Sequence, residues 1–197
     1  MIEQDSSSTI TVDVGAPGAG QTWDFSDIIL NEPVIATYLH TTPEGTPFAG
    51  DFPRANMVQQ ITLPDFDASL YNYFLVDDDA LIQFGNGFEL DIMGMVTSQI
   101  LNNRRTIANL PLVYGANWME IVSDTIEAVP GIQSLTIDTI ENEVDAWGTV
   151  VLPGGSIPVL RIRTTNKARF VLRIGGVDTE STLTESISYN WISKENL

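Results

Sequence analysis

The 197-residue chain contains no cysteine, which excludes disulfides, thiolate metal sites and cysteine nucleophiles. It has a single histidine, His40, so no metal site needing two imidazoles can form. Only two of its nine basic residues are lysines, Lys167 and Lys194, set against 26 acids for a net charge of −17. A surface so negative repels phosphate backbones, which excludes general nucleic-acid binding. No apolar run approaches the roughly 20 residues that a membrane-spanning helix needs. The amino-terminal residues Met1 to Ser8 are polar and acidic, without the basic and apolar regions of a signal peptide.

What is present is a folding chain rich in strand formers. A hydrophobic fraction of 43% and a length of 197 residues suffice for a core without covalent staples. Twenty Ile, 15 Val and 19 Thr favour pleated surfaces over helices. Strand-like runs recur about every ten residues between turn signals such as Gly85-Asn86-Gly87, Pro153-Gly154-Gly155 and Gly175-Gly176. No stretch keeps a 3.6-residue apolar period, and Ile100 to Leu110 is the best candidate for a single helical turn. The expectation is an all-β fold, an antiparallel sandwich or strongly curved sheet, with at most short helices.

Residues 1–100 carry a net −14 and residues 101–197 a net −3, but no Gly/Ser- or Pro-rich linker separates them. One domain spanning 1–197 is expected, with residues 1–9 as a flexible amino-terminal segment. The acid-rich, lysine-poor balance suits saline surroundings, where counterions screen self-repulsion within about 10 Å at 0.1 M salt.

Chemistry-bearing patterns are sparse. His40 precedes the loop-like Thr41-Thr42-Pro43-Glu44-Gly45, and Gly154-Gly155-Ser156-Ile157-Pro158 lacks the final glycine of a nucleophile elbow. Gly15-Ala16-Pro17-Gly18-Ala19-Gly20 lacks the lysine and helix of a phosphate-binding loop. Asp65-Phe66-Asp67 and Asp77-Asp78-Asp79 are the densest acid clusters. Asp77, Asp78 and Asp79 are weak candidates for a Ca²⁺ ion, with a solvated hairpin turn as the competing reading. Trp23, Trp118, Trp147 and Trp191 sit in strand-like runs, where core packing competes with sugar stacking. Period two places Arg161 and Arg163, and Arg169 and Arg173, opposite apolar faces of two runs that Thr164-Thr165-Asn166-Lys167 would join as a hairpin. Those four arginines face solvent and pair with acids, or form a site for an anionic ligand.

Several short motifs occur in a fixed order. They are Gly15 to Ser26 (GAPGAGQTWDFS), Phe52 to Asn56 (FPRAN) and Leu112 to Trp118 (LVYGANW). They continue with Asp145 to Thr149 (DAWGT) with Leu152 to Gly155 (LPGG), Val159 to Thr164 (VLRIRT) and Tyr189 to Ser193 (YNWIS). Together they resemble a family of exported Bacteroidetes proteins that usually end in a type IX secretion sorting domain, which has no counterpart in these 197 residues. The resemblance implies an extracellular or outer-surface β domain, its leader removed, and carries over no catalytic residues and no cofactor. The leading expectation is therefore a non-catalytic secreted or cell-surface module with a binding or structural role, the partner being an extracellular glycan or surface component. A carbohydrate-active or carbohydrate-binding protein is the alternative. A carrier of an apolar ligand in the cavity of a curved sheet is a third.

Overall fold

The computed structural model describes residues 2–5, 12–28, 33–63, 68–92 and 95–193. Among them there are strands and turns and no helix, so the fold is all-β. The strands are β1 (Ile2–Asp5), β2 (Gly18–Asp24), β3 (Pro33–Thr41), β4 (Met57–Leu63), β5 (Ala68–Val76) and β6 (Ala80–Ile92). They continue with β7 (Met95–Leu101), β8 (Arg105–Asn109), β9 (Asn117–Val129), β10 (Ile132–Leu152), β11 (Gly155–Ile174) and β12 (Val177–Ile192). The Ile100 to Leu110 stretch, expected to hold a helical turn, is the end of β7, a short coil and β8. The expected flexible segment 1–9 includes β1, which pairs with β3; its other residues lie outside the described ones, as does Asp65-Phe66-Asp67.

The chain divides into two compact units, each with one sheet. Unit 1 comprises Met1–Thr11 and Ile28–Pro111, and unit 2 comprises Val12–Asp27 and Leu112–Leu197. No linker announces the division, because the chain passes between the units three times rather than once. The sheet of unit 1 runs β1-β3-β4-β5-β6-β7, with β8 also on β6, all antiparallel. The sheet of unit 2 runs β12-β11-β10-β2, with β9 also on β10; β2 alone pairs in parallel.

Strands are longer than the turn signals imply, for identifiable reasons. Gly85-Asn86-Gly87 does not turn the chain but stays inside β6. Phe48 and Phe52, from the loop after β3, pack onto those glycines. A Cβ on Gly87 would lie 2.0 Å from the Phe48 ring, and one on Gly85 would lie 2.7 Å from Phe52 and 2.3 Å from the Leu101 carbonyl. These glycines make room for the core of unit 1, where Phe48, Phe52, Val58, Tyr71 and Tyr73 cluster. Phe52 stacks on Tyr73 at 4.6 Å, and the Tyr73 hydroxyl accepts from the Phe48 amide at 3.1 Å.

Likewise β10 runs unbroken through Glu143 to Ala146, with a bulge at Asp145. The expected Thr164 to Lys167 turn is also absent. β11 continues through it, paired with β10 on one side and β12 on the other. Thr164 and Thr165 favour a strand, and ladder partners on both sides carry the strand through Asn166 and Lys167 despite their lower propensity. True turns fall at Pro130-Gly131, Pro153-Gly154 and Gly175-Gly176. At the first, Glu127 accepts from the Gly131 amide at 2.8 Å and from Gln133 at 3.3 Å. Those bonds hold its carboxyl below the usual glutamate value.

Candidate functional site

The arginines singled out by alternation share one face of β11, since all four positions are odd and β11 carries no extra residue. Their surroundings differ completely. Arg161 is 0% exposed. Its Nε and Nη2 grip Asp145 Oδ1 and Oδ2 at 2.9 and 2.8 Å, a two-pronged pair made possible by the bulge that turns Asp145 toward it. Its Nη1 donates to the Val14 carbonyl and, at 3.2 Å, to that of Gly15. The guanidinium lies 5.4 Å from the Trp23 ring and 4.8 Å from the Tyr189 ring. Around it Trp191 meets Trp23 and Phe25 edge-on at 5.8 and 5.3 Å, beside Ala146 and Val150. This side chain has no surface left for a ligand and ties the 12–17 segment to the sheet.

The other three do not assemble around it. Arg169 Nε donates to Ser181 at 3.1 Å, and Arg173 pairs with Asp178 at 2.7 Å near the surface. Arg163 is half-buried opposite Glu143 and has no bonded partner among the described residues. Asp77, Asp78 and Asp79 form the β5–β6 turn. There Asp77 Oδ1 accepts the Asp79 and Ala80 amides at 3.0 and 2.8 Å, a carboxylate satisfied by backbone. Among the described residues no three His, Asp or Glu side chains are grouped to hold a metal ion. Trp23 and Trp118 are buried, Trp191 is half-buried and Trp147 is exposed.

Unit 1 holds a polar constellation that the sequence conceals. A hydrogen-bonded chain of side chains crosses five strands of its sheet. Arg105 Nε on β8 donates to Gln83 Oε1 on β6 at 3.0 Å, and Gln83 Nε2 donates to Asn72 Oδ1 on β5 at 3.3 Å. Asn72 Nδ2 then donates to Gln59 Oε1 on β4 at 3.2 Å, and Gln59 Nε2 meets His40 Nε2 on β3 at 3.1 Å. An amide nitrogen has no acceptor capacity, so His40 Nε2 is the acceptor of this bond. Every link points the same way, from the guanidinium to the imidazole, so each bond polarises the next.

Register builds this row. His40 lies opposite Gln59, Gln59 opposite Asn72, and Gln83 opposite Arg105. Simple alternation would put Gln83 on the face of Gly85, away from Asn72. A bulge at Phe84 opposes Phe74 to Gln83 instead of Phe84 and so switches Gln83 onto the row. Gln83 is buried, Gln59 and Asn72 are half-exposed, and His40 and Arg105 are exposed at the two ends. Each amide still has one N–H and one oxygen lone pair uncommitted. Tyr38, Phe74 and Phe88 share this face and are half-exposed beside the polar row. Of these residues only His40 stood out in the sequence. The others are 11 to 22 positions apart, with no local pattern to join them.

The short motifs converge elsewhere. Trp23, Asp145, Arg161, Tyr189 and Trp191 come from four of them and meet around the buried guanidinium. Phe52 and Asn56 come from another, Phe52 in the core of unit 1 and Asn56 bonded to both backbone groups of Val76 at 2.8 Å. They are scaffold residues. Comparison of the chain with protein-family models, curated proteins and solved structures returned no match. The class defined on structural grounds is an all-β protein of two sheets with an amide row on one face.

Proposed function

We propose that the protein is a non-catalytic, extracellular or cell-surface β module that binds carbohydrate on the amide row of unit 1. The observation that carries this reading is the row itself. Its prearranged N–H donors and amide acceptors, beside half-exposed aromatic rings, complement a ligand of alternating hydroxyls and apolar C–H faces. The spacing between donors follows the strand spacing of about 4.8 Å, comparable with one sugar residue of an extended glycan. A neutral glycan fits better than a polyanion, since Arg105 is the row's one cation and the chain carries −17. The polar stripe also opposes an apolar cargo on this face. The motif resemblance, which carries over no catalytic residue, supports the non-catalytic reading and the location.

The test is titration calorimetry against a panel of neutral and sulfated glycans, with Gln59→Leu and Asn72→Leu as variants. A neutral glycan is expected to bind, and each variant to weaken it roughly tenfold, the loss of one to two hydrogen bonds. Absence of binding by the wild type, or binding that both variants leave unchanged, overturns the site. Turnover of an ester, peptide or glycoside that disappears on replacing one carboxylate overturns the non-catalytic reading.

A further inference from the structure

β12 is an edge strand of unit 2, 16 residues long, and nothing in its unit pairs with its outer side. Long edges are normally blunted by proline, lysine or brevity. β12 has no Pro, Lys or Arg, and its side chains from Ser181 to Ser188 are exposed on both faces. Leu183 is 72% exposed and Ile187 47%.

The order of residues in this edge is self-complementary. In Thr182-Leu183-Thr184-Glu185-Ser186-Ile187-Ser188, positions equidistant from Glu185 match in kind. Antiparallel pairing with an identical strand about Glu185 sets Leu183 against Ile187 twice on one face. On the other face it sets Thr184 against Ser186 and Thr182 against Ser188. Apolar pairs and Thr–Ser pairs are both stabilising cross-strand combinations, and a twofold arrangement makes every favourable pair occur twice. The exception is the centre, where two Glu185 carboxylates stand directly opposed. We infer that two copies of this chain pair through β12 about a twofold axis at Glu185, and that the opposed carboxylates keep them apart at neutral pH.

The charges facing Glu185 do not relieve that opposition. Among the described residues of unit 2, β11 is the one strand paired beside it. Lys167 lies directly across but bonds Glu141 of β10 at 3.1 Å, and the diagonal Arg169 is engaged by Ser181. Each copy therefore brings two carboxylates to one lysine at the centre. Replacing Glu185 by Gln removes the opposed charges and lets the two side-chain amides hydrogen-bond across the twofold axis.

Because the chain's isoelectric point is near 4.1, where proteins also precipitate unspecifically, the deciding measurement is made at neutral pH. Sedimentation equilibrium is run on the wild type, Glu185→Gln and Glu185→Gln/Leu183→Lys. The wild type is expected to be monomeric at pH 7, Glu185→Gln to self-associate about fivefold or more tightly, and the added lysine to restore the monomer. A Glu185→Gln protein no more associated than the wild type overturns the inference, as does a dimer indifferent to Leu183→Lys. The cysteine-free chain permits a second check of register. Glu185→Cys is expected to oxidise to a disulfide dimer, its Cα atoms falling within bridging range. Val177→Cys is not, since the same register separates its two copies by roughly 50 Å. Equal cross-linking of both variants overturns the twofold at Glu185. Binding at the amide row is untouched by these variants, so the two proposals fail independently.

Discussion

Arg161 and Arg163 differ by one step of the strand period, yet one is the largest fully buried side chain among the described residues of unit 2 and the other is half-buried beside Glu143. Alternation correctly assigns them one face. What separates them is the bulge at Asp145, which delivers a carboxylate to Arg161, and the 12–17 segment, which delivers two carbonyls. Gly15 permits that delivery. Its φ of +67° suits glycine, and a Cβ there would press the Trp23 indole at 3.2 Å. Removing one member of a buried pair leaves the other charged and unpaired, so Asp145→Ala is expected to cost roughly 3–5 kcal/mol in urea unfolding. Arg161→Met/Asp145→Leu together should recover part of that loss, because neither charge remains. It should not recover all of it, since the Val14 and Gly15 carbonyls lose their donor. A double variant as unstable as Asp145→Ala would mean that the loop contacts, and not the ion pair, hold this core.

At the scale of elements, glycine is the residue whose meaning the local sequence misstates. Gly85-Asn86-Gly87 has the composition of a turn and the position of a strand interior, because Phe48 and Phe52 need the space that two Cβ atoms would fill. Gly87→Ala is accordingly expected to destabilise unit 1 by about 1–3 kcal/mol through overpacking, read as a lower midpoint in chemical unfolding. An unchanged midpoint would show that the 43–56 loop is loosely seated. Gly131 and Gly175, by contrast, are turn glycines at positive φ, where composition and structure agree. The amide row belongs to this scale too. Its members stand on five different strands, and one bulge decides whether Gln83 joins it, so no window of sequence contains it.

Across the whole molecule, charge follows the units and not the halves of the chain. Unit 1 has 12 acids against three bases and unit 2 has 14 against six, net −9 and −8. The apparent contrast between residues 1–100 and 101–197 arises because unit 2 takes Asp13, Asp24 and Asp27 from the acidic half and unit 1 takes Arg104 and Arg105 from the other. Both units then carry similar self-repulsion, and raising NaCl from about 0.05 to 1 M, which shortens the screening length roughly fourfold, is expected to raise Tm. A flat or falling Tm would remove electrostatic strain as a feature of this fold. The all-β class and the matched residue order from Thr182 to Ser188 were determined by the sequence itself. Strand propensity, period two and residue order are local properties that survive any arrangement of the chain. The division into two units, the fate of each arginine and the row from Arg105 to His40 were decided by tertiary structure alone. They depend on strand register and on two bulges, and a shift of one residue in either sends a side chain to the opposite face.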